Sequence, residues 1–144
     1  MGSVRNHIRI GRSSDDVWKV VSDAGSLAAW APNIEKSSAS GNMRHVEFAE
    51  GYALEEQIIT SDDDLRRFQY RVTRLHYGDI DGPSPVDTYA TVDVIEDLDG
   101  SLVIYSTEIA SVDDPDGELE GAAVEFVKVN SAGFLQGLKE YLER

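Results

Sequence analysis

The chain has no cysteine, only 4 prolines and 3 histidines, and 13 basic residues in a length of 144. Without cysteine there is no disulfide, no thiolate nucleophile and no sulfur-ligated metal, and the composition suits a reducing, cytoplasmic setting. Against the 13 basic residues stand 27 acidic ones, a formal net charge of -14. That charge repels phosphate backbones and anionic headgroups at long range, so neither nucleic acid nor a membrane surface is expected as a direct partner. No window approaches the roughly 20 apolar residues that a spanning helix needs. Residues 1–12 hold Arg5, His7, Arg9 and Arg12 and no apolar run, so no signal peptide is expected there. A GxSxG elbow, an HExxH pair and a glycine-rich phosphate loop after a strand are also missing, which leaves serine-hydrolase, zinc-hydrolase and nucleotide-cofactor chemistry without support. Neither a cofactor nor a metal is expected. The acidic runs Asp62-Asp63-Asp64 and Asp113-Asp114-Pro115-Asp116-Gly117 lack the spacing and terminal Glu of an EF-hand and read as turns.

What is present is a change of period along the chain. Val4, Asn6, Ile8 and Ile10 alternate with Arg5, His7 and Arg9, which is the period of a strand. Ser13 or Ser14 before Asp15 and Asp16 is a helix N-cap, and Val17, Trp18, Val20 and Val21 form a helical stripe that Gly25 is expected to end. A short second helix covers Leu27 to Trp30 and stops before Pro32. From Ile34 to Asp113 the sequence reads as six strands broken by short turns, with Leu75 to Pro85 as one long loop. Then Val124, Val127, Ser131, Phe134, Leu135, Leu138 and Leu142 recur at three- and four-residue spacing, a long amphipathic helix. Strand, two short helices, six strands and a long helix pack economically in one way, as a single α+β domain over residues 1–144 whose curved antiparallel sheet grips the last helix.

Alternation also assigns faces. Arg66, Phe68, Tyr70, Val72 and Arg74 share the face that carries the aromatics and are expected to look inward. Tyr52, Leu54, Glu56, Ile58 and Thr60 join them, as do Thr88, Ala90, Val92 and Val94, and Val103, Tyr105, Thr107 and Ile109. Polar groups scattered through apolar rows suit a ligand cavity better than a solid core.

The segments GSLAAWAPNIEKS, LEEQIITSDDDLRRFQYRV, PSPVDTYATVDV, SLVIYSTEI and GFLQGLKEYLER, in that order, resemble the SRPBCC superfamily and, more narrowly, its bacterial polyketide cyclase/dehydrase-like branch. The resemblance spans essentially the whole chain. It implies a helix-grip fold with a seven-stranded sheet, related to START lipid-transfer domains and plant pollen allergens, and a deep cavity for small hydrophobic ligands. Glu56 and Tyr70 match residues frequent in the family, and Trp30-Ala31-Pro32 matches the segment that closes one end of the cavity. Ala31 stands where many relatives have histidine.

The candidate site follows. Glu56 either acts as general acid or base, or binds a ligand hydroxyl, or is paired with a neighbouring Arg or backbone group. Tyr70 and Tyr105 either donate to a ligand carbonyl or phenol or pack in the core with their hydroxyls satisfied internally. Arg74 either meets an anionic or enolate oxygen at the cavity mouth or is a solvated loop residue. Of the histidines, His7 and His45 face outward and His76 lies in the long loop. Trp30, Leu54, Phe68, Tyr70, Val92, Tyr105, Ile109, Phe134 and Leu138 are the expected ligand-binding lining. Binding of a lipid, polyketide or terpenoid is the first expectation. A polyketide cyclase or dehydratase using Glu56, Tyr70 or Arg74 is the second, and an acidic partner for a basic protein the third. A monomer or weak homodimer is expected.

Overall fold

A computed structural model of the chain describes residues 2–111 and 113–144. Strand β1 (Gly2–Ile10) leads into helix α1 (Ser14–Val21), a single 3-10 turn (Ala24–Ser26) and helix α2 (Leu27–Trp30). Then follow β2 (Ile34–Ser40), β3 (Met43–Phe48), β4 (Ala53–Asp62), β5 (Arg67–Tyr77), β6 (Ile80–Pro83), β7 (Asp87–Asp97), β8 (Gly100–Ala110) and the long helix α3 (Glu118–Leu142). The sheet order is β1-β8-β7-β5-β4-β3-β2, antiparallel throughout, with β6 paired to β5 off that path. The helix-grip expectation holds: α1 and α2 close one end of the curved sheet and α3 lies across its concave face.

Local chemistry explains most of the boundaries. Ser13 caps α1 by accepting from the Asp16 amide at 3.1 Å, satisfying one of the free amides of the first turn. The helix ends at Val21 rather than at Gly25, because the Ser22 amide closes the last turn on the Trp18 carbonyl. Gly25 sits instead in the 3-10 turn, where a Cβ would approach the Ala39 backbone nitrogen to 3.4 Å, so the turn packs closely on β2. Asp62 closes the β4–β5 turn by accepting from the amides of Asp64 and Leu65, and Asp63 accepts from the Trp18 indole. Asp114 accepts from the amides of Leu119 and Glu120 at the start of α3. Both acidic runs thus do the work of turns and caps.

The expected loop from Leu75 to Pro85 is a hairpin. β5 continues to Tyr77 and β6 folds back on it, with Tyr77 opposite Ile80 and Gly78 at φ 59° in the turn. β5 leaves β7 after Arg71, and its far end would be an open edge without β6.

The core is unevenly distributed along α3. Phe134, Leu135, Leu138 and Leu142 are buried with Val17, Trp18, Val46, Phe68 and Val103, each contributing about 1.5–3 kcal/mol by leaving water. Along the first half of the helix, Gly121, Ala122, Glu125, Lys128 and Val129 are exposed, and no side chain before Ser131 is fully buried. The tight half is seated by glycine: a Cβ at Gly137 would fall 2.4 Å from the Trp30 carbonyl oxygen and 2.7 Å from Pro32 Cδ. Along its first half α3 still packs on one side of the sheet, where Ala123, Val124 and Val127 cover Val4 and Ile109, and it leaves a space on the β4–β5 side.

Candidate functional site

The space between the first half of α3 and the β4–β5 side of the sheet is a cavity of about 430 Å³. Its walls come from β4, β5, β7, β8, the residues after β6 and the first half of α3. Leu54, Val72, Leu75, Val86 and Val127 supply apolar surface, and Phe48, Tyr52, Tyr77 and Phe126 form an aromatic rim. In the rim Tyr52 meets Tyr77 edge-on at 4.9 Å between ring centres and Phe126 at 5.5 Å, arrangements that ring quadrupoles favour. Thr88, Thr107, Asn130 and Ser131 place a few polar groups among these walls.

The floor is polar and built from strand register. Arg44 on β3 and Glu56 on β4 are directly opposite, 5% and 4% exposed, and Arg44 Nε donates to Glu56 Oε1 at 2.6 Å. This is the guanidinium's only hydrogen bond among the described residues. Its plane also lies over the rings of Tyr70 and Phe68, at 4.8 and 5.2 Å from their centres. The Tyr70 and Tyr105 hydroxyls, from β5 and β8, hydrogen-bond to each other beside the pair. Burial pushes the Tyr70 phenol well above its ordinary pKa and the Tyr105 phenol up to about 12, so both stay protonated near neutrality. Burial works against the charge of Arg44, but the charge and hydrogen bond of Glu56 together with the two tyrosines more than offset it and keep Arg44 above its ordinary value.

This floor separates two spaces. Behind it lies a chamber of about 30 Å³ lined by Trp30, Arg44, Phe68, Tyr70, Val92, Tyr105, Phe134 and Leu138 among others. Of the expected site residues, Leu54 and Glu56 line the main cavity, Tyr70, Tyr105 and Phe134 line both spaces, and Trp30, Phe68, Val92 and Leu138 line the inner chamber. Ile109 faces neither. It is 0% exposed and packs with Val4 and Val86 under Ala123, Val124 and Val127, a solid patch of core.

Arg74 is a correction. Glu55 pairs with Arg74 but Glu56 with Val72, so Thr73 is an extra residue in β5. Such a bulge reverses the faces beyond it. Leu75 and Tyr77 therefore line the cavity, and Arg74 lies on the outer side, 3.3 Å from Asp81. Arg66 also leaves its expected row, since it sits in the turn before β5 at φ 51° and reaches Asp15 at 2.6 Å. His76 shares the outer groove with Arg74 and His45. There His45 is bonded to Glu55 at 2.5 Å and to Glu47 at 3.2 Å, and the Glu55 hydrogen bond raises its pKa.

Arg44 and Phe126 escaped the sequence reading. The signal for Arg44 was available: alternation that turns His45 outward turns Arg44, Val46 and Phe48 inward. Phe126 is one turn before Asn130 on α3 and two turns before Phe134, on the same stripe. Among the described residues, no group of three or more His, Asp or Glu is placed to hold a metal ion, and no helix is long and apolar enough to cross a membrane.

No curated protein matches the sequence. Solved structures do. The protein XoxI from Bacillus cereus superposes with a TM-score of 0.83 at 22% identity, covering 99% of this chain and 96% of that one. The Zhui aromatase/cyclase from a Streptomyces species gives 0.77 at 17% identity, covering 99% and 94%. A START superfamily protein from Mycobacterium smegmatis gives 0.69 at 13% identity, covering 97% and 98%. At these identities the likeness establishes the fold. The family described as polyketide cyclase / dehydrase and lipid transport matches residues 1–143. The chain belongs to that family.

Proposed function

We propose that the protein is a cytoplasmic binding domain for a flat, apolar small molecule of polyketide, terpenoid or lipid type, held with an oxygen-bearing end on the polar floor. The observation that carries this reading is the cavity of about 430 Å³, apolar along its walls and closed at one end by Glu56, Tyr70 and Tyr105. Its size falls in the range of small-molecule sites, and its few convergent polar groups are what orients a ligand. The tyrosine pair has two hydroxyl protons and uses one between them, so one O–H is left to donate. Glu56 Oε1 is taken by Arg44, and Oε2 has no hydrogen bond among the described residues. A donor and an acceptor thus stand side by side, a match for an enol or a hydroxy-ketone.

The test uses the neutral fluorophore N-phenyl-naphthylamine. It should brighten on binding the wild type and be displaced by apolar ligands. Ala122 lines the cavity from an exposed position on α3, so Ala122→Trp should fill the space without disturbing the core and weaken binding at least tenfold. Unchanged binding in that variant would remove the cavity from the account.

The same donor and acceptor favour a second reading, a cyclase or dehydratase. A poly-ketone folded against the walls would lose an α-proton to Glu56 while the tyrosine O–H holds the enolate oxygen. Much of the acceleration would come from holding the chain in a reactive shape. Glu56→Gln and Tyr70→Phe should then each change the product distribution with a confirmed substrate, and unaltered products in both would leave binding as the whole function.

A further inference from the structure

Trp30 lines the inner chamber behind the floor and carries the one buried polar side-chain atom without a hydrogen-bond partner among the described residues, its Nε1. An indole N–H only donates, and leaving it unpaired in an apolar interior is unfavourable. The chain's other indole, that of Trp18, is satisfied by Asp63 at 2.8 Å. Arg44 lines the same chamber with only Nε engaged among the described residues, so the space is ringed by donors.

Tyr70, Tyr105 and Phe134 line both the chamber and the main cavity, and between the two tyrosines the dividing wall is held by their hydroxyl-to-hydroxyl bond. We propose that the chamber is an inner subsite for one carbonyl oxygen of the ligand, which enters between Tyr70 and Tyr105 and accepts the Trp30 indole N–H. This rests on the main cavity being the ligand site. The chamber's roughly 30 Å³ exceeds what one water needs and suits a carbonyl with the carbon that bears it. A carbonyl oxygen needs donors alone, which the Trp30 indole and, among the described residues, the free guanidinium nitrogens of Arg44 supply. A carboxylate fits worse, since Glu56 already neutralises Arg44 and a further negative charge would be buried unpaired.

Because the chain has 2 tryptophans, a proton–nitrogen correlation spectrum shows two indole signals, assigned by Trp30→Phe. Methyl naphthyl ketone should move the Trp30 signal downfield and leave Trp18 in place. Its isopropenyl analogue, the same shape without the oxygen, should bind and leave both in place. Trp30→Phe should weaken the ketone about fivefold, the effect of one neutral hydrogen bond, and leave the hydrocarbon unchanged. If both probes bind and the Trp30 signal stays put, or moves equally with both, the subsite is refuted while the main cavity stands. If neither probe binds, the main cavity reading fails and the subsite goes with it.

Discussion

Arg44 and Glu56 face each other across the β3–β4 ladder and form a 2.6 Å ion pair with almost no exposure. A pair so placed is held in opposed positions by backbone register, and each partner relies on the other for its solvation. Glu56→Gln should destabilise the fold by about 3–5 kcal/mol, because it strands the guanidinium in a dry floor. Arg44→Met with Glu56→Leu should recover most of that loss. Urea denaturation of the single and double variants measures both. An additive double variant would show that the two charges are solvated separately.

Alkaline pH should weaken the fold through the tyrosine pair. Above pH 10 the unfolded chain releases phenol protons that native Tyr105 keeps until about pH 12, so the native state binds more protons and stability falls as pH rises across that window. For Tyr105 alone the loss is on the order of 3 kcal/mol when complete, with Tyr70 adding in the same direction. Stability measured between pH 8 and 12 should fall less steeply in Tyr105→Phe than in the wild type. Parallel slopes would mean that the phenol is solvated.

Arg74→Ala should leave ligand binding intact and change stability by no more than about 0.5 kcal/mol, since its partner Asp81 is on the outer groove and both are exposed. A large drop in affinity would place this side chain back at the cavity.

Gly137→Ala sets two effects against each other. Alanine gains about 1 kcal/mol of helix propensity, but its Cβ would need the room now taken by the Trp30 carbonyl. Backbone cannot yield as a flexible side chain can, so net destabilisation of roughly 1–3 kcal/mol is expected from thermal unfolding. The same change at Gly121, with nothing near its Cβ, should stabilise.

Much of this was legible in the sequence because it is periodic or local. The Ser13 cap, the Leu27–Trp30 helix before Pro32 and the α3 stripe of Phe134, Leu135 and Leu138 follow from neighbours a few residues apart. Tyr70, Tyr105 and Glu56 were found because alternation survives from Arg67 to Val72 and along β8. It fails at Thr73, where one extra residue carries Arg74 out and brings Leu75 in; nothing in VTRLH announces that bulge, which shows only in the register of β5 against β4. The division into two chambers was equally hidden. It depends on how far Arg44 reaches across Tyr70, a distance set by packing and not by any row of the pattern.

The close seat of Gly137 beneath Trp30 also divides α3 by what each half is answerable to. The buried face beyond Ser131 is bound to the fold, while Leu119 and Ala122 in the first half line the cavity from exposed positions. Descendants of this sequence can therefore exchange side chains in the first half of the helix and acquire new ligands with little loss of stability, so the family's chemistry should diversify on that half first.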